Sequence, residues 1–137
     1  LNEAGAEFLV VGAYALAAHG IPRFTKDLDV WVRGTPQNAA CVYRALVAFG
    51  APVGALSVDD LATPGVTFQM GLPPNRIDIL TSIDGVDFDS AWAAKIAARY
   101  GDQPIHVLSR AHLISNKLAS ARPQDLVDVE LLRRGSR

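Results

Sequence analysis

A chain of 137 residues, half of them hydrophobic and 20% charged, suits one compact domain and is too apolar for a disordered tail. With 13 Lys and Arg against 14 Asp and Glu, the formal net charge is −1, which argues against bulk electrostatic capture of nucleic acid. Any contact to nucleotide or RNA is therefore expected to be local. The single cysteine, Cys41, cannot close an internal disulfide, so no oxidising compartment is implied; it falls in an apolar helical pattern and reads as a small core residue. The longest nearly uncharged apolar stretch, Phe8 to Ala18, is well short of the ~20 residues a membrane helix needs. It follows Glu3 and Glu7 rather than a basic segment, so it does not read as a signal peptide. The chain begins at Leu1 rather than Met, which leaves room for a preceding segment. The expectation is a single cytoplasmic domain over residues 1–137, with no membrane partner.

Taken in order, Ala6 to Val11 (AEFLVV) is entered through Gly5 and closed by Gly12, which suits a buried strand. Ala13 to His19 is alanine-rich, favours helix and stops at Gly20. Thr25 to Arg33 alternates strictly, with Leu28, Val30 and Val32 on one face and Asp27, Asp29 and Trp31 on the other; that is strand periodicity. Thr35-Pro36 opens a helix whose apolar face includes Val42, Leu46 and Phe49, and Gly50 ends it. Pro52 to Gly65 holds at most a short helix after Ser57. Val66 to Gly71 and Arg76 to Thr81 read as strands joined through Leu72-Pro73-Pro74-Asn75. Asp87 to Tyr100 reads as one helix closed by Gly101, and Pro104 to Leu108 as a short strand. Ser109 caps a helix to about Ala121, and Pro123 starts a final helix through Leu132. Consecutive strands mixed with helices predict an α+β fold, a sheet covered by helices rather than a regular βαβ array.

Asp27 and Asp29 carry the most chemical information. Asp is depleted in strands, yet here two stand in one strand, two positions apart and so on one face, with Cα atoms about 6.5–7 Å apart. Two carboxylates so close repel each other, and a compensating positive group is expected. Asp78, between Ile77 and Ile79, repeats the oddity; if its strand lies beside the first, three carboxylates converge. Oxygen-only donors suit a hard cation such as Mg²⁺, and paired ions clamp the attacking and leaving oxygens of an in-line phosphoryl displacement. The other reading, an exposed strand face of solvated Asp residues, stays open on these residues alone.

Val11-Gly12-Ala13-Tyr14 passes from strand to helix, where free backbone N–H groups form an anion site, although one Gly at such a turn is more often a plain turn. His19, Arg23 and Lys26 lie between that helix and the Asp strand, within reach of a phosphate or simply solvated. His19 also has a helix-dipole reason to be there. Asp87 and Asp89 read as capping residues. Lys117, Arg122, Asp125 and Asp128 form a helix–Pro–helix charge pattern read first as local ion pairing.

Together, Val11-Gly12-Ala13, thirteen intervening residues, Asp27-Leu28-Asp29 and then Arg76-Ile77-Asp78-Ile79-Leu80 resemble the polymerase-β-type nucleotidyltransferase superfamily. The stretches Val11–Val32, Leu72–Trp92 and Lys117–Val129 resemble its small stand-alone bacterial and archaeal members, some related to nucleotidyltransferase toxins of the abortive-infection type. The resemblance implies a mixed β-sheet backed by α-helices, with the triphosphate of an NTP such as ATP held at Gly12 and Ala13 with help from Arg23, Lys26 and Lys117. It implies that Asp27 and Asp29 bind two Mg²⁺ ions (or Mn²⁺), while Asp78 binds the catalytic ion and accepts the proton of the attacking hydroxyl. The acceptor, RNA, protein or a small molecule, would be held by the core, a second subunit or a separate partner, for instance a small helical protein. The second Gly or Ser of the signature is Ala13 here, which drops a hydroxyl contact to phosphate but keeps the backbone N–H. That departure motivates a second reading, a non-catalytic nucleotide-binding or interaction module, one half of a toxin–antitoxin pair. A metal-dependent phosphohydrolase is the third, separable because it releases phosphate without an acceptor.

Overall fold

The computed structural model describes residues 5–21, 27–71 and 76–135. Arg23, Lys26 and the expected connection Leu72–Asn75 lie outside those residues. The elements are β1 (Phe8–Val11), α1 (Gly12–Ala18), β2 (Leu28–Val32), α2 (Pro36–Phe49), α3 (Val58–Leu61), β3 (Thr67–Met70), β4 (Ile77–Leu80), α4 (Phe88–Ala93), β5 (Ile96–Tyr100), β6 (Gln103–Val107), α5 (Arg110–Ser120) and α6 (Pro123–Gly135).

Local chemistry explains most boundaries. The Thr35 hydroxyl accepts from the Asn38 N–H and Pro36 takes the first helical position, so α2 starts there; Gly50, with φ 88°, ends it. Ser57 and Asp60 cap each other's backbone to start α3, and the Ser109 hydroxyl accepts from the His112 N–H to start α5. Asn38 then ties α2 to the strands, accepting from the Glu7 N–H and donating to the Glu7 and Arg33 carbonyls.

The sheet is mixed, in the order β3-β4-β2-β1-β6-β5. β2 runs antiparallel to β1 and parallel to β4, β1 runs parallel to β6, and the hairpins β3–β4 and β5–β6 form the two flanks. Registered neighbours share a face. Val10, Val30 and Ile79 therefore line one side, and Val11, Asp29 and Asp78 the other. On the first side Leu46 and Phe49 of α2 stand over Val10, Val30 and Ile79 across a cleft of about 780 Å³. On the second, Trp31 packs edge-on against Phe88 of α4 at 5.0 Å, and Phe88 stacks on Trp92. Leu113 of α5 and Leu132 of α6 are fully buried where those helices join the core. Burying each such leucine stabilises the fold by about 1.5–3 kcal/mol.

Three expectations need correction. The segment Asp87 to Tyr100 is not one helix: α4 ends at Ala93 and Ile96–Tyr100 forms an edge strand. Tyr100 and Gln103 pair across the two-residue loop Gly101-Asp102, with Gly101 at φ 59°, and five registered pairs outweigh the helix propensity of Ala97 and Ala98. Asp87 does cap α4, accepting from the Ser90 N–H, but Asp89 instead pairs with Arg33, whose guanidinium also lies over the Phe88 ring. Cys41 is half-buried beside Arg44, not a core residue. Among the described residues no helix is long and apolar enough to cross a membrane.

Candidate functional site

The parallel pairing of β2 and β4 registers Asp29 on Asp78. Neighbouring strands stand about 4.8 Å apart, so the two carboxylates leave the same face side by side. The N–H of Leu28 donates to the Arg76 carbonyl at 2.9 Å, which carries the pairing one step further and sets Asp27 beside Arg76. Two chain segments with a period of two residues thus present a block of four side chains, Asp29 on β2 with Asp27 just ahead of that strand, and Asp78 on β4 with Arg76 just ahead of that one.

Arg76 was not among the residues singled out in the sequence. Its Nε lies 3.1 Å from Asp78 Oδ1 and its Nη2 3.6 Å from Asp27 Oδ2. The contact to Asp78 is ionic without being a good hydrogen bond: Arg76 Nε and Asp78 Oδ1 are both buried, and neither finds a hydrogen-bond partner. The signal that would have found Arg76 is the same two-residue alternation that picked out the Asp pair, R-I-D leading into β4 against D-L-D leading into β2.

Asp29 shows the electrostatic cost of the arrangement. Partial burial pushes its carboxyl above the usual carboxylate range, and Asp78 and Asp27 push it further the same way; Arg76 and Lys117 act in the opposite sense. Asp27 and Asp78 thus both act on Asp29 through space.

Gly12 is shaped by Asp29. Its φ is 68°, and a Cβ added there would fall 2.3 Å from Asp29 Oδ2. Val11 is the registered partner of Asp29, so the chain turns out of β1 against the carboxylate, and only glycine leaves room for it. Ala13 follows, half-buried, in the first turn of α1.

Lys117 on α5 reaches Asp125 Oδ1 at 3.3 Å and Asp128 Oδ2 at 3.2 Å. Those two carboxylates are each 1% exposed, Asp125 also takes a forked contact from Arg122, and Gln124 donates to Asp128. The Arg122 guanidinium holds Asp125 down at about 2 despite burial. The local ion pairing expected for this segment is what the structure shows. Lys117 nevertheless lies close enough to influence Asp29. His19 caps α1 and its Nε2 bonds the Leu108 carbonyl at 2.8 Å, which occupies it away from any phosphate.

Three carboxylates make an oxygen-only donor set, the kind a hard divalent cation takes. Among the described residues, however, no three acidic groups already enclose a position for one. Arg76 stands against two of the three.

No family model and no curated protein matches this chain. Its fold is similar to the crystal structure of the lincosamide antibiotic adenylyltransferase LnuA, bound to lincomycin, with a TM-score of 0.56 and 13% identity. The match covers 96% of this chain and 89% of that one. The nucleotidyltransferase-like α+β architecture expected from the sequence is thereby shown.

Proposed function

We propose that the chain is a divalent-cation-dependent nucleotidyltransferase that moves a nucleoside monophosphate from an NTP to a hydroxyl acceptor. One observation carries this reading: Asp29 and Asp78 are registered neighbours, with Asp27 on the same face and Gly12 cut away beneath Asp29. Such a cluster of like charges is unfavourable without positive charge beside it, and one guanidinium, that of Arg76, stands against three carboxylates. The shared fold with an adenylyltransferase makes ATP the first donor to try and a small hydroxyl compound the first acceptor, ahead of RNA or protein.

Asp27, Asp29 and Asp78 would hold Mg²⁺ (two ions, with Mn²⁺ as a substitute). When bound, the ions would neutralise charge on the phosphates and stabilise the entering and leaving oxygens. The backbone at Gly12 and Ala13 receives the triphosphate, with Lys117 adding positive potential and Arg23 and Lys26 preceding the Asp strand. The acceptor oxygen forms a bond to the α-phosphorus, the bond from that phosphorus to the α,β-bridging oxygen breaks, and pyrophosphate leaves. The hydroxyl proton passes to a carboxylate oxygen of Asp78, whose Oδ1 is without a hydrogen-bond donor of its own. Positioning and charge stabilisation supply most of the acceleration.

The test is label transfer from α-labelled ATP in the presence of Mg²⁺ to a panel of hydroxyl compounds, total RNA and lysate protein. Transfer that Asp29→Ala abolishes supports the assignment, and equal labelling by the variant refutes it. Ala13 and the contact of Arg76 with Asp27 and Asp78 favour the second reading, a non-catalytic nucleotide-binding or interaction module, one half of a toxin–antitoxin pair with a small helical partner. Calorimetric absence of Mg²⁺-dependent binding at millimolar nucleotide would select it.

A further inference from the structure

The side of the sheet that faces away from the acidic block holds the cleft of about 780 Å³ beneath α2. Val10, Val30 and Ile79 form its floor, and Leu46 and Phe49 of α2 stand over it. A volume of that order, lined by apolar side chains with a few polar groups, suits a small molecule. Phe49 lines the cleft yet is 75% exposed, so the described residues leave apolar surface there uncovered. Among the described lining residues Arg44 alone carries a charge, and its exposure puts the guanidinium at the mouth. Arg33, Arg76, Arg122 and Arg134 each stand against a carboxylate. Arg44 reaches only Cys41 Sγ, a weak acceptor 3.3 Å away, and pairs with no carboxylate among the described residues. The cleft therefore offers an apolar trough with one uncompensated positive charge at its edge. We infer that it binds a fatty carboxylate, the chain laid on the floor against Phe49 and the carboxylate beside Arg44. A second copy of the chain is a poorer occupant, because a two-fold contact over this patch brings another Arg44 to it.

Two effects set the affinity. Each methylene that leaves water for the trough tightens binding about fourfold, so decanoate should bind about fifteenfold more tightly than octanoate. An exposed guanidinium adds a smaller increment. Arg44→Gln should weaken decanoate about threefold to fivefold and leave the uncharged decanol unchanged. Ala48 is exposed on α2 and lines the same cleft. Ala48→Trp should fill the mouth from the surface, spare the core, and exclude both ligands.

The measurement is calorimetric titration of octanoate, decanoate and decanol into wild type, Arg44→Gln and Ala48→Trp, below the concentrations at which these compounds aggregate. Thermal melts check that each variant is folded. One-site binding that strengthens with chain length, weakens for decanoate alone in Arg44→Gln and vanishes in Ala48→Trp supports the site. No binding at millimolar decanoate overturns it, as does binding that Arg44→Gln leaves unchanged or that survives Ala48→Trp. A ligand-free dimer in sedimentation velocity that Ala48→Trp splits, with no carboxylate bound, gives the cleft to a second copy and also overturns it. The titrations contain neither cation nor nucleotide, so the functional reading stands or falls separately.

Discussion

Asp29 of β2 and Asp78 of β4 are direct partners in a parallel pairing, a place where like charges oppose folding. Converting Asp29 to the isosteric Asn relieves that opposition. Asp29→Asn should therefore be more stable than wild type in EDTA, by about 0.5 kcal/mol or roughly 2 °C in melting temperature. In excess Mg²⁺ the order should invert, because only the wild type gains from the ion. Thermal melts in the two buffers check both halves.

Two glycines separate backbone strain from contact with the carboxylate. Gly12 and Gly20 both have positive φ, 68° and 86°, but a Cβ would meet Asp29 only at Gly12 and nothing within 4 Å at Gly20. Gly20→Ala should cost about 1 kcal/mol and leave Mn²⁺ binding unchanged. Gly12→Ala should cost about 2–3 kcal/mol and weaken Mn²⁺ binding, since Asp29 must move. Chemical denaturation and a metal titration on the same pair provide the comparison.

Lys117 has a structural task whatever it does for a nucleotide. Lys117→Met leaves Asp125 to Arg122 and removes the ammonium from Asp128, both buried. The expected loss is about 3–5 kcal/mol, and Asp128→Asn placed on top should recover part of it. A loss under about 0.5 kcal/mol in urea would show that the triad is not structural.

Asp125 sets an acid limit. Its folded value of about 2 lies below the ordinary carboxylate value of about 3.9, so the folded state binds this proton less readily than the unfolded chain. Its stabilisation is complete above pH ~4 and disappears as pH falls toward about 2, an effect of about 2 kcal/mol. Urea unfolding at a series of pH values should show a steeper acid loss for wild type than for Asp125→Asn.

Much of the scaffold was readable because its signals are local. Thr35-Pro36, Ser57, Ser109 and Gly50 act within a turn of themselves, and the Asp27–Arg33 alternation needs only its own strand. The edge strand Ile96–Tyr100 was not readable by periodicity, since only its central residue is even half-buried and neither face carries an apolar pattern. Its one local sign was the Gly101-Asp102 hairpin loop. Asp78 stood out as an acid in an apolar strand, but Arg76 takes its meaning from the register of β2 on β4, which depends on segments far apart in the chain. Lys117, Asp125 and Asp128 were legible as a local ion group because α5 and α6 are consecutive.

The connection between β2 and β4 runs through α2, α3 and β3, so the two acid-bearing strands meet only after the chain has travelled across the opposite side of the sheet and returned. No shorter folded fragment brings the anionic centre together. The segment that delivers the last negative charge carries a guanidinium two residues ahead of it, so charge and counter-charge enter that centre together.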